Sequence, residues 1–294
     1  MPEDRRPDET VEIDVGGHRV VADVHGSGQR TLLLLNGGPG LPCDYLRDPH
    51  LRLAGPELRV VAFDQLGCGR SDRPSDPELW RIERYVEEVE TVRRTLDLGR
   101  VDLLGHSWGG WLSIEYALTH PEGLNTLILE NTCGDIPHLT QELNRLREAL
   151  GPETVAMMQR HEALGTLDHP EYEAAVTILN YRHVCRMDVW PDAVNRSLGD
   201  WNMDVYGVMQ GPNEFLYTGN LKDWRRLDDM PRIACPALIT TGLHDEIGPP
   251  CARLMAEALP DARVEVFRNS SHMPFHEEPE PYFAALEGFL AETA

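Results

Sequence analysis

The chain has 294 residues, of which 41% are hydrophobic and 26% are charged, a composition that is ordinary for a globular protein and excludes a fibrous or disordered one. Its formal net charge is −22, because 49 acidic residues outnumber 27 basic ones. This charge argues against nucleic acid and anionic membranes as partners, and most of the carboxylates are expected on a solvated surface.

The chain begins with a charged, proline-containing segment, residues 1–10, that lacks the apolar core of a signal peptide. The longest apolar run, residues 31–35, is too short to cross a bilayer, so we expect a cytoplasmic protein. The cysteines show no C-x-x-C pair, which predicts reduced thiols and no metal site. They are Cys43, Cys68, Cys133, Cys185, Cys235 and Cys251.

The first third of the chain alternates short apolar runs with turns. Four runs predict strands, and the last two are nearly all apolar, as in a sheet that is covered on both faces. A helix is predicted over residues 77–98, with acidic residues early and arginines late. The four predicted strands are residues 11–15, 19–24, 31–36 and 58–64.

The next segment continues the alternation of strands and helices. Residues 101–105 predict a strand, a helix follows Ser107 and ends before Pro121, and residues 124–130 predict another strand. Strands and helices in this order are typical of an α/β fold with a mostly parallel sheet and helices on both faces.

The alternation then stops over residues 134–230, which are helical and polar in pattern. A segment of this length must form structure of its own, so we expect a helical cap domain above the carboxyl ends of the strands, where such sheets bind ligands. The core domain is then residues 1–133 and 231–294. Its second part predicts strands at 236–242 and 262–267 and helices at 250–259 and 280–291.

The strongest motif is Gly-His-Ser-Trp-Gly at residues 105–109. A Gly-x-Ser-x-Gly string occurs by chance in roughly one chain in ten of this length on average composition. Here it lies between a predicted strand and a predicted helix, which is the setting of a nucleophile elbow. The pattern therefore predicts Ser107 as a nucleophile, although a serine that only caps a helix would share the pattern.

A nucleophilic serine needs a base, and the base needs an orienting carboxylate. In an elbow fold the order along the chain is serine, acid, histidine. Asp245 follows one late strand and His272 follows the next, so these two are the predicted acid and base. The alternatives are His276 for the base, and Glu246 or Asp135 for the acid.

An oxyanion hole needs two N–H donors near the serine. The backbone N–H of Trp108, at the start of the helix, is one candidate. The loop at residues 36–40, Asn-Gly-Gly-Pro-Gly, follows a strand directly, and its glycines permit a close backbone approach to substrate. The N–H of Gly38 is the predicted second donor, a choice that depends as much on the family resemblance given in the next paragraph as on geometry; a plain tight turn would have the same composition.

Several segments together resemble the proline iminopeptidases, with the tricorn-interacting aminopeptidases and the amino-acid amidases that are related to them. The motif at 36–40 and the Gly-Pro-Asn-Glu-Phe motif at 211–215 are the most specific. This resemblance implies an α/β-hydrolase fold, and Asn36 stands where the family usually has histidine. The matching segments are residues 36–40, 64–71, 105–110, 211–215, 218–221, 244–246 and 271–274.

The resemblance also implies how substrate is recognised. In this family two glutamates hold the free amino terminus of the substrate, and the matching positions are Glu214 and Glu246. An α-amino group with a pKa of about 8 is mostly a cation at neutral pH, so desolvated carboxylates would favour it. Aromatic residues of the predicted cap could line the pocket or belong to the core; they are Tyr206, Phe215 and Tyr217.

We therefore expect a serine aminopeptidase that cleaves the amide bond after an unblocked N-terminal residue through an acyl-enzyme, with no metal or cofactor. The expected partner is a small peptide or an aminoacyl amide. An amidase for small amides such as prolinamide and an esterase or lactonase of the same fold remain alternatives. A binding protein that has lost its chemistry is a further alternative from another class.

Overall fold

The computed structural model describes residues 6–293 and centres on one eight-stranded sheet in the order β1-β2-β4-β3-β5-β6-β7-β8. β2 is antiparallel to β1 and β4, and the other neighbouring strands pair in parallel. The strands are β1 (Glu9–Asp14), β2 (Arg19–His25), β3 (Arg30–Leu35), β4 (Leu58–Asp64), β5 (Val101–His106), β6 (Leu124–Glu130), β7 (Ala237–Gly242) and β8 (Ala262–Phe267).

The central strands are apolar because the sheet is covered on both faces. Every residue of β5 and of β7 is buried, so neither face of these strands alternates with solvent. The helices of residues 6–293 are α1 (Asp44–His50), α2 (Ile82–Thr95), α3 (Trp108–Thr119), α4 (Ile136–Glu148), α5 (Pro152–Leu164), α6 (Pro170–His183), α7 (Asp192–Gly199), α8 (Met203–Met209), α9 (Gly248–Ala258), α10 (Pro274–Glu277) and α11 (Pro279–Glu292).

The predicted strands and helices match these elements to within about two residues, with one larger difference. The helix expected over residues 77–98 is divided, because a 3₁₀ turn at Pro77–Leu79 comes before α2. Between them Trp80 leaves the helical region with ψ 71°, and Arg81 is extended with φ −137° and ψ 142°. The side chain of Trp80 is buried in the core, which explains why the chain turns here.

Five helices, α4 to α8, lie between β6 and β7, as expected for an inserted cap. This segment contacts loops at the carboxyl ends of the strands. The Asn202 N–H donates to the carbonyl of Gly40 (3.0 Å), and His183 Nδ1 bonds the carbonyl of His244 (2.8 Å). The inserted helices are thereby held above the end of the sheet where the site residues lie, while the exact domain bounds of 134 and 230 stay a prediction.

None of the helices within residues 6–293 combines the length and the apolar character needed to span a bilayer. The predicted absence of a signal peptide concerns residues 1–10, of which residues 1–5 lie outside the described part of the chain.

Candidate active site

Ser107 lies at the turn between β5 and α3, with φ 57° and ψ −121°. A non-glycine residue rarely adopts this strained conformation, and it presents the side chain at the end of the strand. Strand and helix approach closely because two glycines flank the serine. A Cβ on Gly105 would lie 2.2 Å from the carbonyl oxygen of Gly109, and one on Gly109 would lie 2.0 Å from that of Leu35. The local geometry is that of a nucleophile elbow.

Asp245 and His272 form a buried hydrogen-bonded pair, with His272 Nδ1 2.8 Å from Asp245 Oδ1. Each follows a strand of the carboxyl-terminal half, β7 for the aspartate and β8 for the histidine. Burial lowers the pKa of His272, but the charge of Asp245, its hydrogen bond and the charge of Glu214 raise it more, so the net pKa lies above 6.5. The structure thus places the predicted acid and base together.

Ser107 and His272 line one cavity of about 120 Å³. Within residues 6–293 no hydrogen bond joins the Ser107 hydroxyl to His272. Such bonds often shorten only when substrate binds. A larger open groove of about 780 Å³ lies near residues 54–56, and none of the predicted site residues lines it.

The alternative acids and bases have other partners. His276 Nε2 bonds the carbonyl of Tyr45 (2.8 Å). Asp135 caps α4 by accepting the His138 N–H (2.8 Å), and it also pairs with Arg225 (3.2 Å). Within residues 6–293 neither His276 nor Asp135 is hydrogen-bonded or ion-paired to Asp245 or His272. These contacts favour His272 over His276 and Asp245 over Asp135.

The two predicted oxyanion donors are free in the described part of the chain. Trp108 begins α3, so its N–H has no partner within the helix. In the loop before α1, the Gly37 N–H already donates to the hydroxyl of Tyr45 (2.6 Å), whereas the Gly38 N–H has no acceptor among residues 6–293. Gly38 lines the cavity beside Ser107. The geometry is consistent with Gly38 and Trp108 as the pair of donors.

Asn36 keeps the loop tied to the core, although the family usually has histidine there. Its Nδ2 donates to the carbonyl of Leu41 (2.5 Å), across the turn. Gln65 Nε2 donates to the carbonyl of Asn36 (3.2 Å), and Gln65 Oε1 accepts the indole N–H of Trp108 (2.9 Å). The loop that carries Gly38 is therefore well bonded without the histidine.

Glu214 and Glu246 are both near His272, as the resemblance implies. Glu214 lines the cavity and accepts a hydrogen bond from Gln210 Nε2 (2.8 Å). Glu246 is 2% exposed, its Oε1 lies 3.8 Å from His272 Nε2, and its buried Oε2 has no partner within residues 6–293. Burial raises the pKa of Glu214, and burial with the charges of Glu214 and Asp245 raises that of Glu246 well above its usual range.

Of the two roles left open for the aromatic residues of the inserted segment, the cavity lining does not support the pocket role. Within residues 6–293 the cavity is lined by Tyr45, Trp190 and Trp201. Its lining does not include Tyr206, Phe215 or Tyr217. Tyr206 packs behind the wall, with its ring 4.4 Å from that of Trp201. The sequence could not distinguish these aromatic residues, because the inserted helices carry them at many positions.

Two supporting residues were missed by sequence reasoning. Asn131 Nδ2 donates to Asp245 Oδ2 (2.9 Å) and to the carbonyl of Ser271 (3.0 Å), and Thr241 Oγ1 also donates to Asp245 Oδ2 (3.2 Å). A signal was available for Asn131, since it is a polar residue directly after a buried strand, at the edge where ligands bind.

One group of side chains in the inserted segment has ligand atoms at metal-binding spacing. The ligand atoms of His161, His169 and Glu171 lie within 4.8 Å of one another. Arg160 pairs with Glu171, so a cation already balances this carboxylate. The group lies apart from the cavity at Ser107.

Comparison with known proteins identifies the family of this chain. Residues 30–279 match the family described as the alpha/beta hydrolase fold. The proline iminopeptidase of Heyndrickxia coagulans is 37% identical over 282 residues, which cover 95% of this chain and 97% of the relative. The chain belongs to the proline iminopeptidase family of α/β hydrolases. The predicted fold class and the predicted family are therefore confirmed.

Two solved structures of similar sequence superpose along nearly the whole chain. The structure of VinJ has a TM-score of 0.93 at 34% identity and covers 98% of this chain and 100% of its own. The proline iminopeptidase of Mycobacterium smegmatis has a TM-score of 0.89 at 32% identity, with 97% and 98% covered. The family likeness thus includes the inserted helices as well as the sheet.

Proposed function

We propose that this chain is a serine aminopeptidase that hydrolyses the amide bond after an unblocked N-terminal residue. The observation that carries the proposal is that Glu214 lines one small cavity with Ser107 and His272, while the buried carboxylate of Glu246 lies 3.8 Å from the same histidine. A cavity of about 120 Å³ is small compared with typical ligand pockets of about 300–1,000 Å³. It suits a short residue better than a long acyl chain.

In the proposed reaction Ser107 Oγ attacks the carbonyl carbon and its proton passes to His272 Nε2. The N–H groups of Gly38 and Trp108 hold the oxyanion. The C–N bond then breaks as His272 gives its proton to the leaving amine, which leaves an acyl-enzyme on Ser107. His272 then takes a proton from water as the water oxygen attacks this ester, and it returns that proton to Ser107 Oγ as the acyl C–O bond breaks. Asp245 orients the imidazole throughout. These steps need no metal or cofactor.

Glu214 and Glu246 would select substrates with a free amine. Glu246 is buried and lies within the influence of the charge of Glu214, so removal from water and repulsion both disfavour its charged form. A substrate ammonium placed between the two carboxylates supplies the missing countercharge, and the unpartnered Oε2 of Glu246 is a ready acceptor for one of its N–H donors. A blocked substrate lacks this charge. We propose that residues 134–230 form the lid that brings Glu214 to the site, and that the substrate is a small peptide or an aminoacyl amide.

The test of amine recognition is Glu214→Gln, which keeps the shape of the side chain but removes its charge. We expect kcat/KM on proline and alanine arylamides to fall about 10- to 100-fold, because a charge-assisted hydrogen bond is lost. Hydrolysis of the N-blocked versions should change little. Glu173→Gln, an exposed position on α6, is the matched control and should behave as the parent protein does on both substrate sets.

Equal activity of the Glu214→Gln variant and the parent protein on free and blocked arylamides would overturn the proposed amine site. A separate comparison of prolinamide with proline dipeptides distinguishes an amidase from a peptidase. Preference for acyl esters without an amine would establish an esterase instead.

A further inference from the structure

Two buried side chains, Tyr45 and His106, connect the loop of Gly38 to the backbone of His272. The Gly37 N–H donates to the Tyr45 hydroxyl oxygen (2.6 Å), and this hydroxyl lies 2.7 Å from His106 Nδ1. His106 Nε2 lies 2.8 Å from the carbonyl oxygen of His272. Three hydrogen bonds thus connect the oxyanion loop, residues 36–40, to the backbone of His272, the proposed base, and they pass beside the serine elbow.

The direction of each bond follows from the groups involved. The carbonyl of His272 can only accept, so His106 Nε2 carries a hydrogen, and in the neutral imidazole Nδ1 is then an acceptor. Tyr45 must donate its hydroxyl hydrogen to Nδ1, and its oxygen is left to accept from Gly37. Burial, together with the neighbouring His272, lowers the pKa of His106 well below its usual range, which keeps the ring neutral.

The packing leaves the loop little freedom around this chain of bonds. A Cβ on Gly37 would lie 2.8 Å from the Tyr45 hydroxyl and 3.0 Å from Ser107 Cβ. The His106 ring lies 4.6 Å from that of His272, centroid to centroid. The position of the loop relative to both Ser107 and His272 therefore depends on the Tyr45 hydroxyl and on His106.

We propose that Tyr45 and His106 are positioning residues that hold the oxyanion loop in register with Ser107 and His272. In this proposal neither side chain bonds to the reacting atoms. Tyr45 acts through the N–H of Gly37, and His106 acts through the backbone carbonyl of His272. The inference rests on the proposed function only in taking Ser107 as the nucleophile, because an oxyanion hole serves acyl transfer whatever the substrate.

Tyr45→Phe is the direct test, since it keeps the ring and removes the hydroxyl. The rate of inactivation by a fluorophosphonate, which needs Ser107 and the oxyanion hole but no amine site, should fall about tenfold or more. With an aminoacyl arylamide, kcat should fall by a similar factor while KM stays within about twofold. Tyr116→Phe is the matched control, because its buried hydroxyl donates to Glu90 (2.6 Å) away from the cavity. It should lower Tm but leave the inactivation rate unchanged.

His106→Gln should also lower the inactivation rate and kcat, because it breaks the same series of hydrogen bonds at its second residue. The double variant, Tyr45→Phe with His106→Gln, tests whether the two residues act as one unit. We expect the double variant to be no slower than the slower single variant, because coupled groups are not additive.

Two outcomes would overturn the positioning role alone. One is a double variant in which the fold-losses of the two single variants multiply. The other is a Tyr45→Phe inactivation rate that equals that of the parent protein or falls no more than that of Tyr116→Phe. A parent protein that the fluorophosphonate does not label would overturn the proposed function and, with it, the positioning role.

Discussion

At the scale of single residues, the groups around His272 set the pKa of its imidazole. Burial by itself would make the imidazole a weak base. Asp245, hydrogen-bonded at Nδ1, and the charge of Glu214 outweigh burial, so the pKa of His272 is raised above 6.5. Asn131 and Thr241 in turn hold the second oxygen of Asp245. The base therefore depends on contacts that reach β6 and β7 as well as its own loop.

The pH dependence of activity should report this raised pKa. Because the base must be neutral to accept the Ser107 proton, kcat/KM on an ester without an amine should fall as pH drops through a value above 6.5. Asp245→Asn removes the charge that raises the pKa, so the acid limb should move to lower pH and the rate should fall about 10⁴-fold. Rate profiles of the two proteins check this. An unmoved acid limb in the variant would show that Asp245 does not set the pKa.

At the scale of elements, the elbow between β5 and α3 needs two glycines because strand and helix are in direct backbone contact. The carboxyl end of β5 and the first turn of α3 meet at Gly105 and Gly109. This close approach places the free N–H groups of the helix beside Ser107. The same two glycines are therefore needed both for the packing of strand against helix and for the placement of the N–H donors beside Ser107.

Gly105→Ala should be destabilising, because its Cβ would lie 2.2 Å from the Gly109 carbonyl oxygen. Forced overpacking costs about 1–3 kcal/mol, and we expect activity to fall as the elbow shifts. Gly288→Ala on α11 is the contrasting change, since a Cβ there meets nothing within 4 Å. It should stabilise the protein by about 0.5–1 kcal/mol. Urea unfolding of both variants measures the difference, and a neutral Gly105→Ala would contradict the packing argument.

At the scale of the whole molecule, the dominant feature is the net charge of −22. Most of these carboxylates lie on the surface, where they pair with arginines or face water. A field of one sign also raises the local concentration of cations near the protein, and salt screens this effect. The proposed substrate is a cation at neutral pH, so the whole surface favours its approach.

Salt should therefore lower kcat/KM for a free aminoacyl arylamide. We expect a decrease of about two- to tenfold between low and high ionic strength. A neutral ester is the control, because its approach is not steered by charge. Initial rates across a salt series measure both, and an equal response of the two substrates would rule out steering.

The sequence by itself determined the strands, the core helices α2, α3, α9 and α11, the elbow at Ser107 and the two loops that carry Asp245 and His272, whereas the short helices α1 and α10 were not predicted. Each of these depends on a pattern within about 20 residues, such as an apolar run, a helix with charged ends or glycines that flank a serine. The family motifs added Glu214 and Glu246, which no local pattern would have related to Ser107.

Only the tertiary structure decided which residues meet. It placed His272 rather than His276 against Asp245. Among residues 6–293 the Gly37 N–H has an acceptor and the Gly38 N–H has none, and the aromatic residues that line the cavity are Tyr45, Trp190 and Trp201. These outcomes depend on how the inserted helices and the strand ends pack on one another. Side chains far apart in the chain are brought within 3 Å by that packing, and periodicity along the sequence carries no information about such distances.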